Sequence, residues 1–573
     1  QPPAFATVSG GVTFKEGGTN FTNSLLVGTS STGTLNNASG NTGVGTGVFG
    51  ALTTGDNNVA VGLNALDANT TGGDNVAVGR TSMESNTTGV CNVAVGLDAL
   101  GANITGNNNT GIGYAANATS TDRNDNTAIG FCSLKVNVAT GNTAVGAYSA
   151  DSNTSGTAIT AIGNRALCSN TTGGYHTAVG CGALRTVTTC SYNTAVGFDT
   201  LGLLTTGQYN TAVGMSAMEA AVTGDRNVAM GYQALKLITS GDNNTALGVQ
   251  SLDANTTANN NTAIGSGSAT ATTTGAGNVS VGQASFVTNT TGASNVAIGR
   301  GSLYSNTTAS EITAVGSCAL FSNTTGTDNV AVGFCALSCN TTGATNTATG
   351  YLSLAANTTG GTNTAFGYKT LLVNTTGQYN TAVGKDALDA VISGDYNTAV
   401  GLAALGQATS SNNVAVGDRA LDAVTSGANN IALGSESGAA SNWLKWTTES
   451  NRLTLGNNDI TNSYVKVDWT VGSDVRDKTN FGTIPHGLDF VNQLNPVSFQ
   501  FKKSREDDTP HGNLRYGFKA QEILALEKAN NGTNVIVDDE FEEHLNLTNS
   551  HLTPILVKAI QELTKRIKVL ESK

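Results

Sequence analysis

The sequence is poor in proline, in charge and in long apolar runs. Of its 6 prolines, none lies between Pro3 and Pro485, as expected where nearly every strand donates backbone hydrogen bonds to a neighbour. Charged residues make up only 12% of the chain, and the net charge of −12 leaves no basic stripe, so we expect no nucleic-acid partner. No apolar run approaches the roughly 20 residues of a transmembrane helix, so we expect no membrane span.

Glycine, in contrast, is abundant and periodic. The motif Asn-(Thr/Val)-Ala-(Val/Ile)-Gly ends at Gly62, Gly79 and Gly96 and then recurs almost every 17 residues as far as Gly434. A fixed period indicates stacked copies of one unit, about 25 of them. A unit of this length is too short for two packed helices, which need roughly 30 residues, but suits short strands separated by turns. The sequence therefore predicts a parallel β-solenoid (β-roll) shaft of ~17-residue coils, on the order of 120 Å long.

Composition divides the chain into four segments. The last 101 residues hold 28 of the 68 charged side chains, a much higher density than in the repeats. We therefore expect a different, small α+β domain there, which makes the whole an all-β repeat protein with a mixed C-terminal domain. The predicted segments are an N-terminal piece (1–19), the shaft (20–438), a connector (439–472) and the C-terminal domain (473–573).

The connector contains all three tryptophans, Trp443, Trp446 and Trp469. Clustered tryptophans could bind sugar, but packing at the junction of two folds is the better interpretation. At the other end, the chain begins at Gln1 without methionine. That start suits a mature secreted product, although a trimmed chain would look the same.

The 8 cysteines all lie in the repeats, without Cys-x-x-Cys spacing, so we predict no metal site and no cofactor. Cys318 and Cys335 both stand two residues after the glycine of adjacent coils. Their backbones should then lie about 5 Å apart, within reach of a disulfide. Two free thiols are the alternative.

Asn-x-Thr sequons recur in the turn of each coil and raise the question of glycosylation. Stacked turns would lie only about 5 Å apart, too close for a glycan on every coil. Asn-Thr-Thr-Gly is also a good turn in its own right, so a ladder of asparagines is the competing interpretation. The candidates are Asn69, Asn86, Asn170, Asn255, Asn289, Asn306, Asn323, Asn340, Asn357 and Asn374.

Aromatic residues gather just after the repeated glycine. Such a row could stack on sugars, which would make cell-surface glycans or a host receptor partners of the shaft. Packing between subunits or over the corner of the coil is the alternative. The residues are Phe131, Phe198, Tyr232, Phe334, Tyr351 and Tyr368.

The pentapeptide of the repeats resembles the head repeats of trimeric autotransporter adhesins, over roughly residues 20–438. In that family similar motifs build a three-chain β-roll, although the period there is usually shorter. The resemblance implies a homotrimeric rod.

The C-terminal text carries a second resemblance. It contains Ser473-Asp474-Val475-Arg476-Asp477-Lys478, then Leu494-Asn495-Pro496, Tyr516-Gly517-Phe518 and a closing helix. In this order the motifs resemble the peptidase S74 family, the intramolecular chaperone domain of phage tailspikes and tail fibres. That family trimerises through this domain and cuts itself off once.

Mapped onto this chain, the resemblance places the scissile bond between Gly472 and Ser473. Ser473 would be the nucleophile and Lys478 the base, a pair in which burial or a nearby cation makes the lysine able to accept a proton. A Ser–His pair has no spacing in its favour. We thus expect at most a single-turnover autoprotease.

The closing helix has its own signal. Leu556, Ile560, Leu563, Ile567 and Leu570 follow the 4-3-4-3 spacing of a coiled-coil seam. The seam is short for independent stability, so it would need copies of itself. An ordinary amphipathic helix packed on a small domain is the alternative.

Together these features predict a homotrimeric fibre or adhesin, extracellular or on a cell or virion surface. A cellular filament subunit that keeps its C-terminal domain is one alternative. A polysaccharide-degrading tailspike is another, but it would need paired carboxylates facing a groove. The acidic residues of the repeats, such as Asp67, Glu84, Asp253 and Asp386, are scattered.

Overall fold

The computed structural model describes residues 5–8, 12–18, 20–28, 32–439, 445–466, 473–502, 507–530, 535–539 and 545–573. The chain divides into two compact units: residues 1–369 with 373–376, and residues 370–372 with 377–573. Each unit is described by itself. The domain limits expected from the sequence stay predictions.

The first unit begins with a small antiparallel meander. Strands β1 (Phe5–Val8), β2 (Val12–Gly18) and β3 (Phe21–Val27) pair in that order. β3 also pairs in parallel with β4 (Ala38–Ser39) and β5 (Thr42–Val44). The change from antiparallel to parallel pairing at β3 marks the start of the repeats.

After β5 each coil contributes one strand of three residues, paired in parallel with that of the next coil. In the first unit these strands are β6 Val59–Val61, β7 Val76–Val78, β8 Val93–Val95, β9 Thr110–Ile112, β10 Thr127–Ile129, β11 Thr143–Val145, β12 Thr160–Ile162, β13 Thr177–Val179, β14 Thr194–Val196, β15 Thr211–Val213, β16 Val228–Met230, β17 Thr245–Leu247, β18 Thr262–Ile264, β19 Val279–Val281, β20 Val296–Ile298, β21 Thr313–Val315, β22 Val330–Val332, β23 Thr347–Thr349 and β24 Thr364–Phe366. The second unit continues with β25 Thr381–Val383, β26 Thr398–Val400, β27 Val414–Val416, β28 Ile431–Leu433 and β29 Leu453–Leu455. The predicted solenoid is confirmed.

The register follows the sequence period with few exceptions. Val59 faces Val76, a step of 17 residues, whereas Thr127 faces Thr143 across a coil shorter by one residue. The last step, from β28 to β29, is longer and brings Leu453 opposite Ile431. The structure thus adds one coil after residue 438, where the sequence suggested that the period breaks.

Inside each coil the middle residue of the strand and a leucine fill the core, as Ala60 and Leu66 do with no exposed surface. The glycine that follows the strand is required by geometry. Gly62 has φ of +135°, and a Cβ there would lie 2.4 Å from the carbonyl oxygen of Gly79 in the next coil. Any side chain at this position would therefore collide with backbone, which explains the invariance of glycine along the stack.

Two rows of buried asparagines run along the coils. The backbone N–H of Asn75 donates to Asn58 Oδ1 at 3.0 Å, and Asn75 Nδ2 donates to the Gly89 carbonyl at 2.8 Å. In the second row Asn86 Nδ2 donates to Asn69 Oδ1 at 2.9 Å and to the Gly89 carbonyl at 3.2 Å. Each coil therefore satisfies buried polar groups of its neighbour.

The C-terminal part of the second unit is a small α/β region. Its elements are a 3₁₀ turn (Val475–Asp477), α1 (Leu488–Val491), β30 (Val497–Lys502), β31 (Pro510–Gly517), α2 (Ala520–Ala529), β32 (Val537–Asp538), β33 (Asn546–Leu547), a 3₁₀ turn (Asn549–His551) and α3 (Leu552–Glu571). β30 pairs antiparallel with β31, and β32 pairs antiparallel with β33. The core joins α1, α2, β32 and α3 through Phe490, Ile523, Val537 and Ile555. This confirms the expected mixed region that ends in a helix.

Glu527 is a buried carboxylate in this region that the sequence did not single out. It accepts hydrogen bonds from the backbone N–H groups of Val535, Ile536 and Val537 at 2.9, 2.9 and 3.0 Å. Three charge-assisted bonds compensate the carboxylate for its lost hydration. Glu527 therefore ties the strand that carries Val537 to α2.

Candidate functional site

The predicted nucleophile and base lie beside each other. Asp474 Oδ1 accepts the N–H of Arg476 at 2.9 Å and so caps the 3₁₀ turn Val475–Asp477. The turn reverses the chain over a few residues and returns Lys478 to Ser473. Lys478 Nζ donates a hydrogen bond to Ser473 Oγ at 2.6 Å, the separation that direct proton transfer between the two atoms requires.

Asp474 and Arg476 hold this turn together. Arg476 Nε lies 3.0 Å from each carboxylate oxygen of Asp474. The hydrogen bonds from Arg476 hold the pKa of Asp474 below its usual value. Both residues contact each other rather than the Ser–Lys pair, so their role in the geometry is to position the turn.

In the single chain the pair is open to solvent. Ser473 and Lys478 are both exposed, so water stabilises the ammonium form of the lysine. A lysine that takes the serine proton must first lose that hydration, which requires burial of the pair. The other half of the predicted scissile bond, Gly472, lies outside the described residues.

Helix α3 has two apolar faces. One, with Leu552, Ile555 and Ala559, is buried in the core of the C-terminal region. The second carries the predicted seam. Its five side chains, Leu556, Ile560, Leu563, Ile567 and Leu570, are 43% to 69% exposed. An amphipathic helix packed only on its own domain would not carry this second face.

Polar residues of α3 hold the segment that leads into α1. Glu562 Oε2 accepts the backbone N–H of Leu488 at 2.8 Å and so satisfies the start of α1. Lys558 donates to the carbonyl of Ile484, and Arg566 lies 3.5 Å from Asp489. These contacts lie beside the seam on the same helix.

The coils expose two apolar columns on either side of the repeated glycine. The residue before the glycine points outward, as Val61, Ile112 and Ile264 do with about the same exposure in their coils. The residue after the glycine is often aromatic and exposed, as Phe334 and Tyr351 are. Contiguous exposed apolar surface on this scale marks an interaction face.

The aromatic rings stack along the coils. Phe334 and Tyr351 have ring centroids 5.5 Å apart, and Tyr351 and Tyr368 have centroids 5.2 Å apart, with planes within 12° of parallel. Another row, which sequence analysis did not single out, joins Tyr175, Tyr192 and Tyr209. Because ring faces inside a row cover each other, a sugar could stack only on a ring at the end of a row.

The sequon asparagines do not present glycan attachment atoms. All ten, from Asn69 to Asn374, are fully buried. Asn306 is typical: its Nδ2 donates to Asn289 Oδ1 at 3.0 Å and to the Ala309 carbonyl at 3.1 Å. A glycan on Nδ2 would have to break these bonds inside the coil. The structure contradicts glycosylation of the folded coils and supports the asparagine ladder.

The predicted disulfide is not formed. All eight cysteines lie within residues 32–439 and are free thiols. Burial, followed by interaction with Cys318, raises the pKa of Cys335, which places the two side chains together as expected. Of the tryptophans, Trp446 is buried, while Trp443 and Trp469 lie outside the described residues.

Other kinds of site find little support within the described ranges. No group of histidine, cysteine, aspartate or glutamate side chains there could hold a metal ion, and no helix there is long and apolar enough to cross a bilayer. Burial raises the pKa of Asp151 and of Asp253, but each has a lysine nearby, Lys135 and Lys236. These carboxylates lie in separate coils.

Comparison with known proteins bears on the C-terminal region. Residues 473–529 match the peptidase S74 family, described as chaperone of endosialidase, which confirms the C-terminal resemblance. The matched residues begin at Ser473 and include the capped turn, β30, β31 and α2. No match to the chain was found among curated proteins. A β-solenoid followed by such a region fits a fibre-like or tailspike-like structural protein.

Proposed function

We propose that this protein is a fibre subunit that works outside the cell or on a virion surface. Copies of the chain associate as a homotrimer through the C-terminal region, which aligns their β-solenoid shafts. The shaft carries the length and the exposed surface of the fibre, and the C-terminal region is its assembly device.

The exposed seam of α3 is the observation that carries this proposal. Five large apolar side chains at coiled-coil spacing face solvent, although the opposite face of the same helix is already packed. Exposed side chains such as Ile560 and Leu570 gain about 1.5 to 3 kcal/mol each when association buries them. A second and third copy of α3 match this stripe in length and spacing.

The repeats explain why such a device is useful. Strands of neighbouring coils differ little, so copies of the chain could associate out of step by one or more coils. Long-range β stacking is also slow to nucleate. Association through α3 would bring equivalent coils of each copy to the same level before the apolar columns meet.

The Ser–Lys pair adds a single cleavage to this proposal. Lys478 removes the proton of Ser473 Oγ, which attacks the carbonyl carbon of residue 472 and forms an ester as the peptide C–N bond breaks. The lysine returns the proton to the leaving nitrogen, which becomes the amino group of Ser473. Water then hydrolyses the ester. Burial of the exposed pair on association would make the lysine a competent base.

The test compares wild type with Ser473→Ala and Lys478→Arg by intact mass and by unboiled denaturing gels. We expect wild type to give two fragments that divide between residues 472 and 473, and both variants to stay whole and trimeric. Arginine keeps the positive charge but cannot act as a base. Asp477→Asn, in the same turn but outside the pair, is the control that should still cleave.

Two outcomes would change the proposal. If wild type stays whole yet trimeric, the cleavage step is wrong and the C-terminal region is a retained part, as in a filament subunit. If wild type is monomeric at micromolar concentration in either form, the assembly role fails.

A further inference from the structure

The residue two places after each repeated glycine contacts its counterpart one coil away. Gln250 Nε2 donates to Gln233 Oε1 at 3.3 Å. Arg419 forms an ion pair with Glu436 at 3.5 Å. Side chains of different chemistry therefore meet at this column wherever two successive coils both carry one.

Cys318 and Cys335 occupy this column in successive coils. Their backbones are in register, since the N–H of Cys318 donates to the carbonyl of Arg300 at 2.9 Å and that of Cys335 to Ser317 at 3.0 Å. Both thiols are half-buried, so they are neither sealed in the core nor fully solvated. Strand spacing places such Cα atoms about 5 Å apart, inside the range that a disulfide spans.

One side of the pair is open. The preceding coil carries Gly301 at this column, and even a Cβ added there would lie 3.9 Å from Cys318 Sγ. A small reagent can therefore approach this sulfur. Cys339 belongs to the same coil as Cys335 but stands four residues later and is exposed; its N–H bonds to Ala355 of the next coil.

We propose that Cys318 and Cys335 are a thiol pair built to close into a cross-coil disulfide when the protein meets a low-molecular-weight disulfide. One thiolate attacks a sulfur of the reagent and releases its first thiol. The second protein thiolate then attacks the mixed disulfide and releases the second thiol. The two cysteines are oxidised, the reagent is reduced to two thiols, and the two thiol protons pass to solvent or to the released thiolates.

The bond would join neighbouring coils at one edge and oppose their separation. The two cysteines are 17 residues apart, so the cross-link closes one turn of the solenoid. Its formation needs only the local register of two coils, and the proposal does not depend on association through α3.

The sequence allows a direct test. Asp328 is the only acidic residue between Cys318 and Cys335, so cleavage before aspartate separates the two cysteines. The full chain carrying Cys339→Ser is treated with oxidised glutathione at pH 8.5, alkylated after unfolding, and digested. We expect one species in which both peptides are joined, lighter by two hydrogens than their sum and separated by reductant.

Matched variants decide the outcome. With Cys335→Ser, Cys318 should carry one glutathione and no joined peptide should form. The proposal is overturned if the two peptides are recovered separately from the folded protein, or if non-reducing gels show that the link joins two copies of the chain. A bond between Cys335 and Cys339 in wild type would overturn it as well.

Discussion

In the coils the apolar core points inward as alanine and leucine and the buried amides pair with one another, whereas α3 turns five large apolar side chains to solvent. A coil such as that of Ala60 and Asn75 finds its partners in the same chain, one period away. The stripe with Ile560 and Leu563 finds none among the described residues of its own chain. The repeats thus carry their own cohesion, and the helix is the element that depends on other copies.

The largest effect expected is the loss of assembly when α3 is altered. Ile560→Asp should leave the monomer folded, because the side chain is 63% exposed. It should nevertheless abolish trimers, since each copy loses about 1.5 to 3 kcal/mol of apolar burial and three carboxylates would meet. Light scattering after size-exclusion chromatography measures the mass, and circular dichroism checks the fold.

Gln561→Asp is the matched control for that change. It places the same charge on the neighbouring residue of α3, off the seam, and should leave the trimer intact. If both variants associate equally well, the exposed stripe is not the interface.

The second effect breaks a coil from within. Gly163→Ala forces a Cβ to within 2.4 Å of the Gly180 carbonyl oxygen at φ of +132°. Overpacking and the left-handed backbone together should cost about 3 kcal/mol locally. Hydrogen exchange followed by mass spectrometry should show faster exchange in the flanking coils. Such an array does not unfold in one step, so a local probe is the appropriate one.

Gly141→Ala separates the collision from the backbone cost. Gly141 also has a positive φ, +71°, but a Cβ there meets nothing within 4 Å. We expect a cost of only about 1 kcal/mol. Equal effects at both positions would show that contact between coils does not explain the glycine column.

The contrast between the two regions also shows what sequence analysis can reach. The period, the inward alanine and the glycine corner follow from a signal repeated along the chain, and the structure confirms them. The turn text Asn-Thr-Thr, however, is the same whether Asn306 is buried or exposed. Only its partners in the coils on either side decide between ladder and glycan, and a local motif does not contain them.

The C-terminal site was predictable to a different depth. Proximity of Ser473 and Lys478 follows from a short capped turn, and the motif alone predicted it. Glu527 has no motif, because its partners Val535 and Ile536 are backbone groups that any sequence would supply. Its only signal was a charged residue on the apolar side of α2.

The third effect tests the asparagine ladder. Asn306→Ala removes bonds to Asn289 and Ala309 and the acceptor for Asn323 Nδ2. Leaving such groups buried without partners should cost about 1 to 3 kcal/mol, seen as faster hydrogen exchange in the adjacent coils. Thr308→Ala destroys the same sequon on an exposed residue and should cost much less. If the two variants behave alike in a glycosylating host, the ladder is not what Asn306 contributes.

The smallest effect comes from the coil in which a histidine replaces the ladder asparagine. His176 Nε2 donates to the Cys190 carbonyl at 2.8 Å, and Nδ1 accepts the backbone N–H of Asn193 at 3.3 Å. Burial lowers the pKa of His176, because a proton on Nδ1 would remove the acceptor for Asn193. The Cys190 thiol beside it, whose pKa burial raises to about 11, stays neutral.

The sign of the pH effect follows from that lowered pKa. As pH falls below the ordinary histidine value of about 6.5, the unfolded segment takes up a proton that the folded coil refuses, so stability is lost toward acid. Hydrogen exchange in the coils around His176, corrected for the intrinsic rate, should show reduced protection at pH 5 compared with pH 7. His176→Asn restores the amide of the other coils and should remove this dependence. If the variant keeps the same acid sensitivity, the weak point of the shaft lies in another coil.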